Sequence, residues 1–189
     1  MRIVIIGMGI QGIKRKRYLG NDFIYSVDKF KPANFKSISD VPLKDYDAAF
    51  ICLPDDEKFK VVKYCIENKK HILIEKPIYF KDLKSFSKLQ KLARQNKVVC
   101  YTAYNHRFEP HFIKMKKLIN SKKLGKLYSC RIFYGNGTAK LVKKNWRDKG
   151  KGVRTDLLPH LLDVCRFWFG ERVKEFKLIT SSKFENKAS

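Results

Sequence analysis

The chain has 189 residues, and 44% of them are hydrophobic, so it is long enough and apolar enough to bury a core. This composition excludes global disorder and a low-complexity fibre. The 42 lysine and arginine residues outnumber the 18 acidic residues and give a net charge of +24. Because the basic residues are spread along the whole chain, we expect non-specific attraction to anions but no specific nucleic-acid partner.

No apolar run approaches the roughly 20 residues that a membrane-spanning helix needs, so no membrane association is expected. The apolar run after Arg2 leads directly into glycines without a small-residue cleavage site, which predicts that no signal peptide is present. Five cysteines occur without a Cys-x-x-Cys pair, which argues against a zinc site and a disulfide framework. We therefore expect a cytoplasmic protein with no bound metal and with reduced, buried cysteines.

Short apolar runs alternate with amphipathic segments in the first half of the chain. The apolar runs predict buried parallel strands at Arg2–Gly7, Phe23–Asp28, Asp47–Leu53, His71–Glu75 and Val98–Ala103. Helical periodicity predicts helices over residues 10–19, 56–68 and 81–96. This alternation is typical of an α/β domain with a doubly wound parallel sheet, which we place at residues 1–104.

The pattern changes after about residue 105. Periodicity predicts helices over residues 109–120 and 156–169, and alternation predicts strands over Lys126–Tyr134 and residues 172–180. Glycines mark residues 135–154 as a loop. We therefore expect a second, α+β domain over residues 105–189 with a more open sheet.

Three glycines, Gly7, Gly9 and Gly12, form a G-x-G-x-x-G pattern between the first predicted strand and the first predicted helix. In a dinucleotide-binding turn the first glycine makes the tight turn and the second lets the backbone approach a pyrophosphate. The third permits close packing of the helix on the strand. Since the helix then begins at the phosphates, Ile10 and Gln11 are candidates for cofactor binding as well.

Asp28 ends the second predicted strand, at the position where an acid accepts hydrogen bonds from the adenosine ribose of a dinucleotide. A carboxylate at this position repels a 2′-phosphate, so the sequence favours NAD over NADP. Lys29 and Lys31 follow directly and weaken that preference, which leaves NADP open as the alternative cofactor.

The segment His71–Pro77, which contains Glu75-Lys76-Pro77, resembles the E-K-P segment of the glucose–fructose oxidoreductase / inositol dehydrogenase (Gfo/Idh/MocA) family. Further segments resemble the family in the same order along nearly the whole chain: Tyr104–Phe108, Leu124–Lys126, Trp146-Arg147, Gly150 with Gly152, and Asp156 with His160 and Asp163. The resemblance implies a Rossmann domain followed by a domain with an open, mostly antiparallel sheet. It also implies NAD(P)-linked hydride transfer at a carbon of a sugar, cyclitol or nucleotide sugar.

Lys76, Asp156 and His160 match the positions of that family's catalytic trio. The chemistry of these residue types is consistent with such roles. Histidine suits proton transfer near neutral pH, and a lysine ammonium at the carboxyl end of a strand can donate a hydrogen bond to a reacting oxygen. Asp156 and His160 are four residues apart and therefore share one helical face.

Other candidates surround these positions. Leu53, Pro54 and Glu75 lie at the ends of predicted strands, where ligands bind in open α/β sheets, and are candidates for the cofactor site. Candidates for substrate contact are Asn105, Arg107, Trp146, Arg147 and Asp163. For Arg107 an interdomain salt bridge, and for the Trp146 pair a hinge contact, remain open as alternatives.

The chain departs from the family pattern in its glycine-rich segment, which Lys151 and Arg154 interrupt, and at Leu158-Pro159, where a glycine usually precedes the histidine. It departs in two further respects. Lys58 stands where the family often has a histidine, and the chain is short for the family, so we expect a C-terminally shortened second domain. Three alternatives stay open: a compact enzyme completed by its own homo-oligomer, a chain completed by a partner, and a cofactor-binding scaffold or inactive homologue. Cleavage of a glycosidic bond through a transient oxidation is open as well. The basic composition favours an anionic, sugar-like substrate.

Overall fold

The computed structural model describes residues 1–78, 82–135, 157–170 and 177. The chain divides into two compact units, Met1–Ala103 and Tyr104–Ser189. Within the described ranges, no helix has the length and apolar character needed to cross a lipid bilayer.

The first unit is a parallel sheet whose strands are connected by helices. The strands are β1 (Ile3–Ile6), β2 (Phe23–Val27), β3 (Ala48–Ile51), β4 (His71–Ile74) and β5 (Cys100–Thr102), and the helices are α1 (Ile10–Leu19), α2 (Asp55–Glu67) and α3 (Leu83–Gln95). The strand order is β2-β1-β3-β4-β5, and every pairing is parallel. The predicted α/β class and all five predicted strands of this unit are confirmed, and the helices lie within two residues of their predicted bounds.

The centre of the sheet supplies the core of the first unit. All four residues of β1 are buried, as expected for a parallel strand with helices on both faces. The side chains of Val4, Ile5 and Ile51 are fully buried, and Val62 and Ile66 of α2 pack in one cluster with Val4 and Ile51. The rigid sheet therefore fixes where the carboxyl ends of β1, β3 and β4 lie.

One edge contact was not predicted. A single parallel bridge joins Val27 to Phe35 in the Pro-containing segment after β2. The Phe35 N–H donates to the Ser26 carbonyl at 3.1 Å, and the Asp28 N–H donates to the Phe35 carbonyl at 3.1 Å. Counted as an edge strand, this segment turns the order into that of a Rossmann dinucleotide-binding sheet.

The second unit has two described helices, α4 (Pro110–Asn120) and α5 (Leu158–Phe169), preceded by a short 3₁₀ turn at Asn105–Phe108. Both helices were predicted, and aromatic residues join them. The rings of Phe112 and Trp168 are stacked at 5.5 Å, and the indole N–H of Trp168 donates to the Phe112 carbonyl at 3.1 Å.

The predicted strand Lys126–Tyr134 is wrong: among the described residues, this segment forms no strand hydrogen bonds. Alternating polarity is a local property, whereas a strand also needs a neighbouring strand, and the described part of the second unit provides none. The predicted loop after Gly135, the strand at residues 172–180 and most of the antiparallel sheet lie outside the described residues.

Candidate functional site

The first and third glycines of the turn after β1 are held against backbone atoms. Gly7 has φ +95° and donates its N–H to the Val27 carbonyl at 2.8 Å. A Cβ on Gly7 would lie 2.6 Å from the Cys52 carbonyl oxygen, and a Cβ on Gly12 would lie 1.9 Å from the Gly7 carbonyl oxygen. Only glycine therefore allows the tight turn and the close approach of α1 to β1.

The second glycine faces open space. A Cβ on Gly9 would have no atom within 4 Å, although its φ of −74° is available to any residue. Gly9 is the N-cap of α1, no side chain caps the helix there, and its first turn has no acidic residue. Ile10 and Gln11, which begin the helix, are exposed. Uncapped N–H groups at the positive end of a helix dipole fit a pyrophosphate.

The Asp28 carboxylate binds the backbone of this turn and the backbone of the segment after β2. Its Oδ2 accepts the Met8 N–H at 2.6 Å, and its Oδ1 accepts the N–H groups of Phe30 at 2.9 Å and Lys31 at 2.8 Å. Desolvation raises the pKa of Asp28, but the three backbone hydrogen bonds outweigh it and lower the pKa below its ordinary value. An ionised carboxylate has about four lone-pair sites, so about one remains for a ribose hydroxyl.

The other cofactor candidates follow β3 and β4, next to β1 in the sheet. Leu53 lies against the glycine turn, with its Cδ2 3.2 Å from a Cβ built on Gly7, and Pro54 is the N-cap of α2. Glu75 and Lys76 follow β4, and the Lys76–Pro77 peptide bond is cis. These residues therefore all lie at the carboxyl edge of the sheet, as we expected from their positions after the predicted strands.

Two residues that contact this edge were not predicted as site residues. Arg15 of α1 donates from Nε and Nη2 to Oε1 of Glu75 at 2.8 and 2.7 Å. Lys58 of α2 is only 2% exposed, and its Nζ donates to the Pro77 carbonyl at 2.8 Å. The sequence pattern could have indicated the burial of Lys58. It lies one helical turn before buried Val62 and therefore faces the core together with it.

In the second unit, Arg107 and Asp163 form a two-pronged ion pair. Nε and Nη2 of Arg107 donate to the two carboxylate oxygens of Asp163 at 2.7 and 2.6 Å, and Asp163 is buried. The salt bridge that the sequence left open as an interdomain contact therefore joins α5 to the 3₁₀ turn of the same unit. Asn105 donates from its side-chain amide to Oε1 of Glu109 at 2.9 Å.

His160 is 8% exposed and belongs to a cluster of rings. Its ring lies 5.0 Å from that of His106 and 6.0 Å from those of Tyr104 and Tyr134. His106 Nδ1 lies 2.8 Å from Oε1 of Glu109, and its Nε2 lies 3.2 Å from the Tyr134 hydroxyl. The sequence indicated no partners for His160 other than Asp156.

His106 and His160 also line an apolar cavity of about 460 Å³ within the second unit. Phe112, Leu161 and Trp168 are among its other walls. Three predicted residues, Trp146, Arg147 and Asp156, lie outside the described residues, so their roles stay predictions. In the described ranges, no group of three His, Cys, Asp or Glu residues is arranged to hold a metal ion.

Two domain-family models match the chain. Residues 20–104 match the oxidoreductase family described as "NAD-binding Rossmann fold", and residues 112–188 match the "GFO/IDH/MocA C-terminal domain". The chain belongs to the Gfo/Idh/MocA oxidoreductase family. Its glycine turn precedes the first matched region, so the geometry of that turn is independent support for a dinucleotide site.

Individual Gfo/Idh/MocA relatives agree with the family assignment. The chain is 25% identical to the myo-inositol 2-dehydrogenase of Thermotoga maritima over 192 residues, which cover 93% of this chain and 57% of the relative. It is 30% identical to the uncharacterized oxidoreductase YrbE of Bacillus subtilis over 131 residues. This match covers 69% of this chain and 38% of YrbE. This chain therefore spans 57% or less of the length of these two curated relatives.

Solved structures of the Gfo/Idh/MocA type share the fold. The scyllo-inositol dehydrogenase of Lactobacillus casei has a TM-score of 0.68 at 22% identity, over 89% of this chain and 54% of its own. GenD2 of gentamicin A biosynthesis, solved in complex with NAD, has a TM-score of 0.73 at 19% identity, over 90% of this chain and 54% of its own. At these identities the likeness shows the fold alone.

Proposed function

We propose that this chain binds NAD, with NADP as the weaker alternative, and takes part in hydride transfer at an alcohol or ketone carbon of a cyclitol or sugar. The observation that carries the proposal is the turn at Gly9, which combines open space, a helix start without a side-chain cap and a first helical turn without an acidic residue. Asp28 supports NAD, because its ionised carboxylate has a lone pair left for a ribose hydroxyl and repels a 2′-phosphate.

The bound nicotinamide would supply the hydride acceptor or donor. In the proposed division of labour, Lys76 donates a hydrogen bond to the reacting oxygen, and His160 takes the hydroxyl proton during oxidation or returns it during reduction. Asp156, four residues before His160 in the sequence, is proposed to orient the imidazole. Four of the curated relatives are inositol 2-dehydrogenases, which supports a cyclitol as the first substrate to test.

Cofactor titration tests the binding half of the proposal. NADH and NADPH are titrated into the protein at near-physiological salt, with NADH fluorescence as the signal. We expect saturable binding with a Kd of order micromolar for NADH, equivalent to about 8 kcal/mol, and weaker binding of NADPH. Gly9→Asp places a carboxylate in the open space and should abolish binding. Absence of NADH binding to the folded protein, or tighter binding of NADPH, would contradict the assignment.

A substrate screen tests the catalytic half. Inositol isomers, sugars and their phosphates are incubated with NAD, and NADH formation is followed by absorbance. Turnover that is lost in Lys76→Met and His160→Gln, with NADH binding retained, is the expected result. Binding of NADH without turnover on any compound would favour a cofactor-binding scaffold, and turnover that survives Lys76→Met would remove the proposed role of that residue.

A further inference from the structure

Two basic side chains hold the residues on either side of Lys76. Arg15 of α1 binds the carboxylate of Glu75, and Lys58 of α2 binds the carbonyl of Pro77. We propose that Arg15 and Lys58 are positioning residues that together fix the main chain from which the Lys76 side chain projects. The inference rests on the proposed function, in which Lys76 contacts the reacting oxygen.

Lys58 is buried, so its contact with the Pro77 carbonyl is not a solvent-exposed surface interaction. Its side chain is 3% exposed, and an ammonium group is costly to bury unless acceptors compensate it. Two acceptors are present, since Nζ lies 2.7 Å from Oδ1 of Asp55 and 2.8 Å from the Pro77 carbonyl oxygen. Lys58 therefore links the first turn of α2 directly to the residue after Lys76.

Arg15 provides the second link, from the other side. Both of its donors meet Oε1 of Glu75, whose side chain is 14% exposed. The Glu75 N–H also donates to the Ile51 carbonyl at 2.9 Å, so both the main chain and the side chain of Glu75 are fixed. Arg15 belongs to α1, whose N-cap is Gly9, and so connects the proposed phosphate site to the neighbour of Lys76.

These two links have a function that stability alone would not require. Effective catalysis demands that a reacting group be held close to its productive geometry, and a displacement of about 1 Å can cost about 100-fold in rate. A lysine has a long, rotatable side chain, so its main chain must be fixed before its ammonium can be placed. Removal of either link should therefore increase the mobility of Lys76 without a comparable change in the rest of the first unit.

The test uses Lys58→Met and Arg15→Met, which remove the donors and retain an unbranched side chain. Their matched controls are Lys63→Met on the exposed face of α2 and Arg17→Met on the exposed face of α1. Each protein is trace-labelled with acetic anhydride and cleaved after glutamate. Tandem mass spectrometry of the peptide that begins at Lys76 then assigns acetylation to its first residue and separates it from the other lysines of that peptide. Circular dichroism confirms that each variant is folded at the temperature of the assay.

Lys70 serves as an internal reference, because its ammonium is bound to the carbonyls of Leu43 and Tyr46 in the same unit. In Lys58→Met and Arg15→Met we expect the acetylation rate of Lys76 to rise about threefold or more, while that of Lys70 stays unchanged. The two control variants should leave both rates unchanged. An unchanged Lys76 rate in the folded variants, or a parallel rise at Lys70, overturns the proposal.

Two further measurements separate this inference from the proposed function. If NADH binds and a substrate is found, both variants should lower kcat about 10-fold to 100-fold with the Kd for NADH nearly unchanged. A rise in KM alone contradicts positioning. If the native protein binds no NADH but Lys76 still responds selectively to loss of Lys58, the structural link stands and the proposed function fails.

Discussion

Replacement of Gly12 by alanine tests the close approach of α1 to β1. The added Cβ would lie 1.9 Å from the Gly7 carbonyl oxygen and 3.4 Å from Cγ2 of Ile5. Real Cβ atoms essentially never approach another atom within 3.0 Å, so the contact must open by about 1 Å. The clashing oxygen belongs to the backbone of the turn, so no side-chain rotation relieves the clash.

The expected cost of Gly12→Ala follows from two opposing terms. Overpacking of a well-packed site costs about 1–3 kcal/mol, and a backbone clash belongs at the upper end of that range. Alanine in place of glycine within a helix returns about 1 kcal/mol. The net loss in the free energy of unfolding is therefore about 2 kcal/mol, which changes the unfolding equilibrium by about 30-fold.

Gly9→Ala is the matched control, because it makes the same substitution three residues earlier. Its Cβ enters open space, and φ −74° with ψ −167° is an ordinary backbone conformation for alanine. We expect the free energy of unfolding to change by no more than about 0.5 kcal/mol. The same methyl group would occupy the space proposed for the pyrophosphate, so the affinity for NADH should fall about tenfold or more.

Urea unfolding followed by circular dichroism measures both stabilities, and hydrogen exchange of the β1 amides assigns the loss to the first unit. Gly12→Ala should lose stability, and Gly9→Ala should lose affinity for NADH. If Gly12→Ala proves as stable as Gly9→Ala, the close packing of α1 on β1 is wrong. If Gly9→Ala binds NADH as tightly as the native protein, the phosphate site lies elsewhere.

Three further predictions concern other parts of the chain. The lowered pKa of Asp28 means that its stabilisation is complete above its ordinary pKa of 3.8 and is lost as the pH falls through the folded value. Asp28→Asn should therefore flatten the acid limb of the stability–pH curve, and an unchanged limb would contradict this. Burial raises the pKa of the Cys65 thiol to about 12, so at pH 8 N-ethylmaleimide should label exposed Cys130 well before Cys65, as followed by mass spectrometry. Arg107→Met leaves the buried Asp163 carboxylate without its two donors and should lower the free energy of unfolding by about 3 kcal/mol. If urea unfolding gives the variant the same free energy of unfolding as the native protein, water replaces the guanidinium and the prediction is wrong.

Local pattern was sufficient for most of the first unit. The five strands and three helices were predicted because a buried parallel strand is an unbroken apolar run, and a surface helix repeats its apolar positions every three to four residues. The glycine turn was predicted on the same basis, since the spacing of Gly7, Gly9 and Gly12 encodes a turn that spans only a few residues.

Local pattern failed where a structure depends on a neighbour. Lys126–Tyr134 alternates in polarity as a strand does, yet the described chain offers it no partner strand. The opposite error occurred at Phe35, where a Pro-containing segment was not predicted to pair but forms a bridge with Val27. In both cases, hydrogen bonds between distant segments determine whether a strand forms, and the periodicity of one segment does not encode them.

The sequence by itself determined which residues reach the carboxyl edge of the sheet, including Gly9, Asp28 and Lys76, because each directly follows a predictable strand. Only the tertiary structure decided what holds them there. Arg15 meets Glu75 across 60 positions of the chain, and Lys58 meets Pro77 across 19. Such pairs form because packing brings helix faces against strand ends, and that geometry exists only once the whole sheet has assembled.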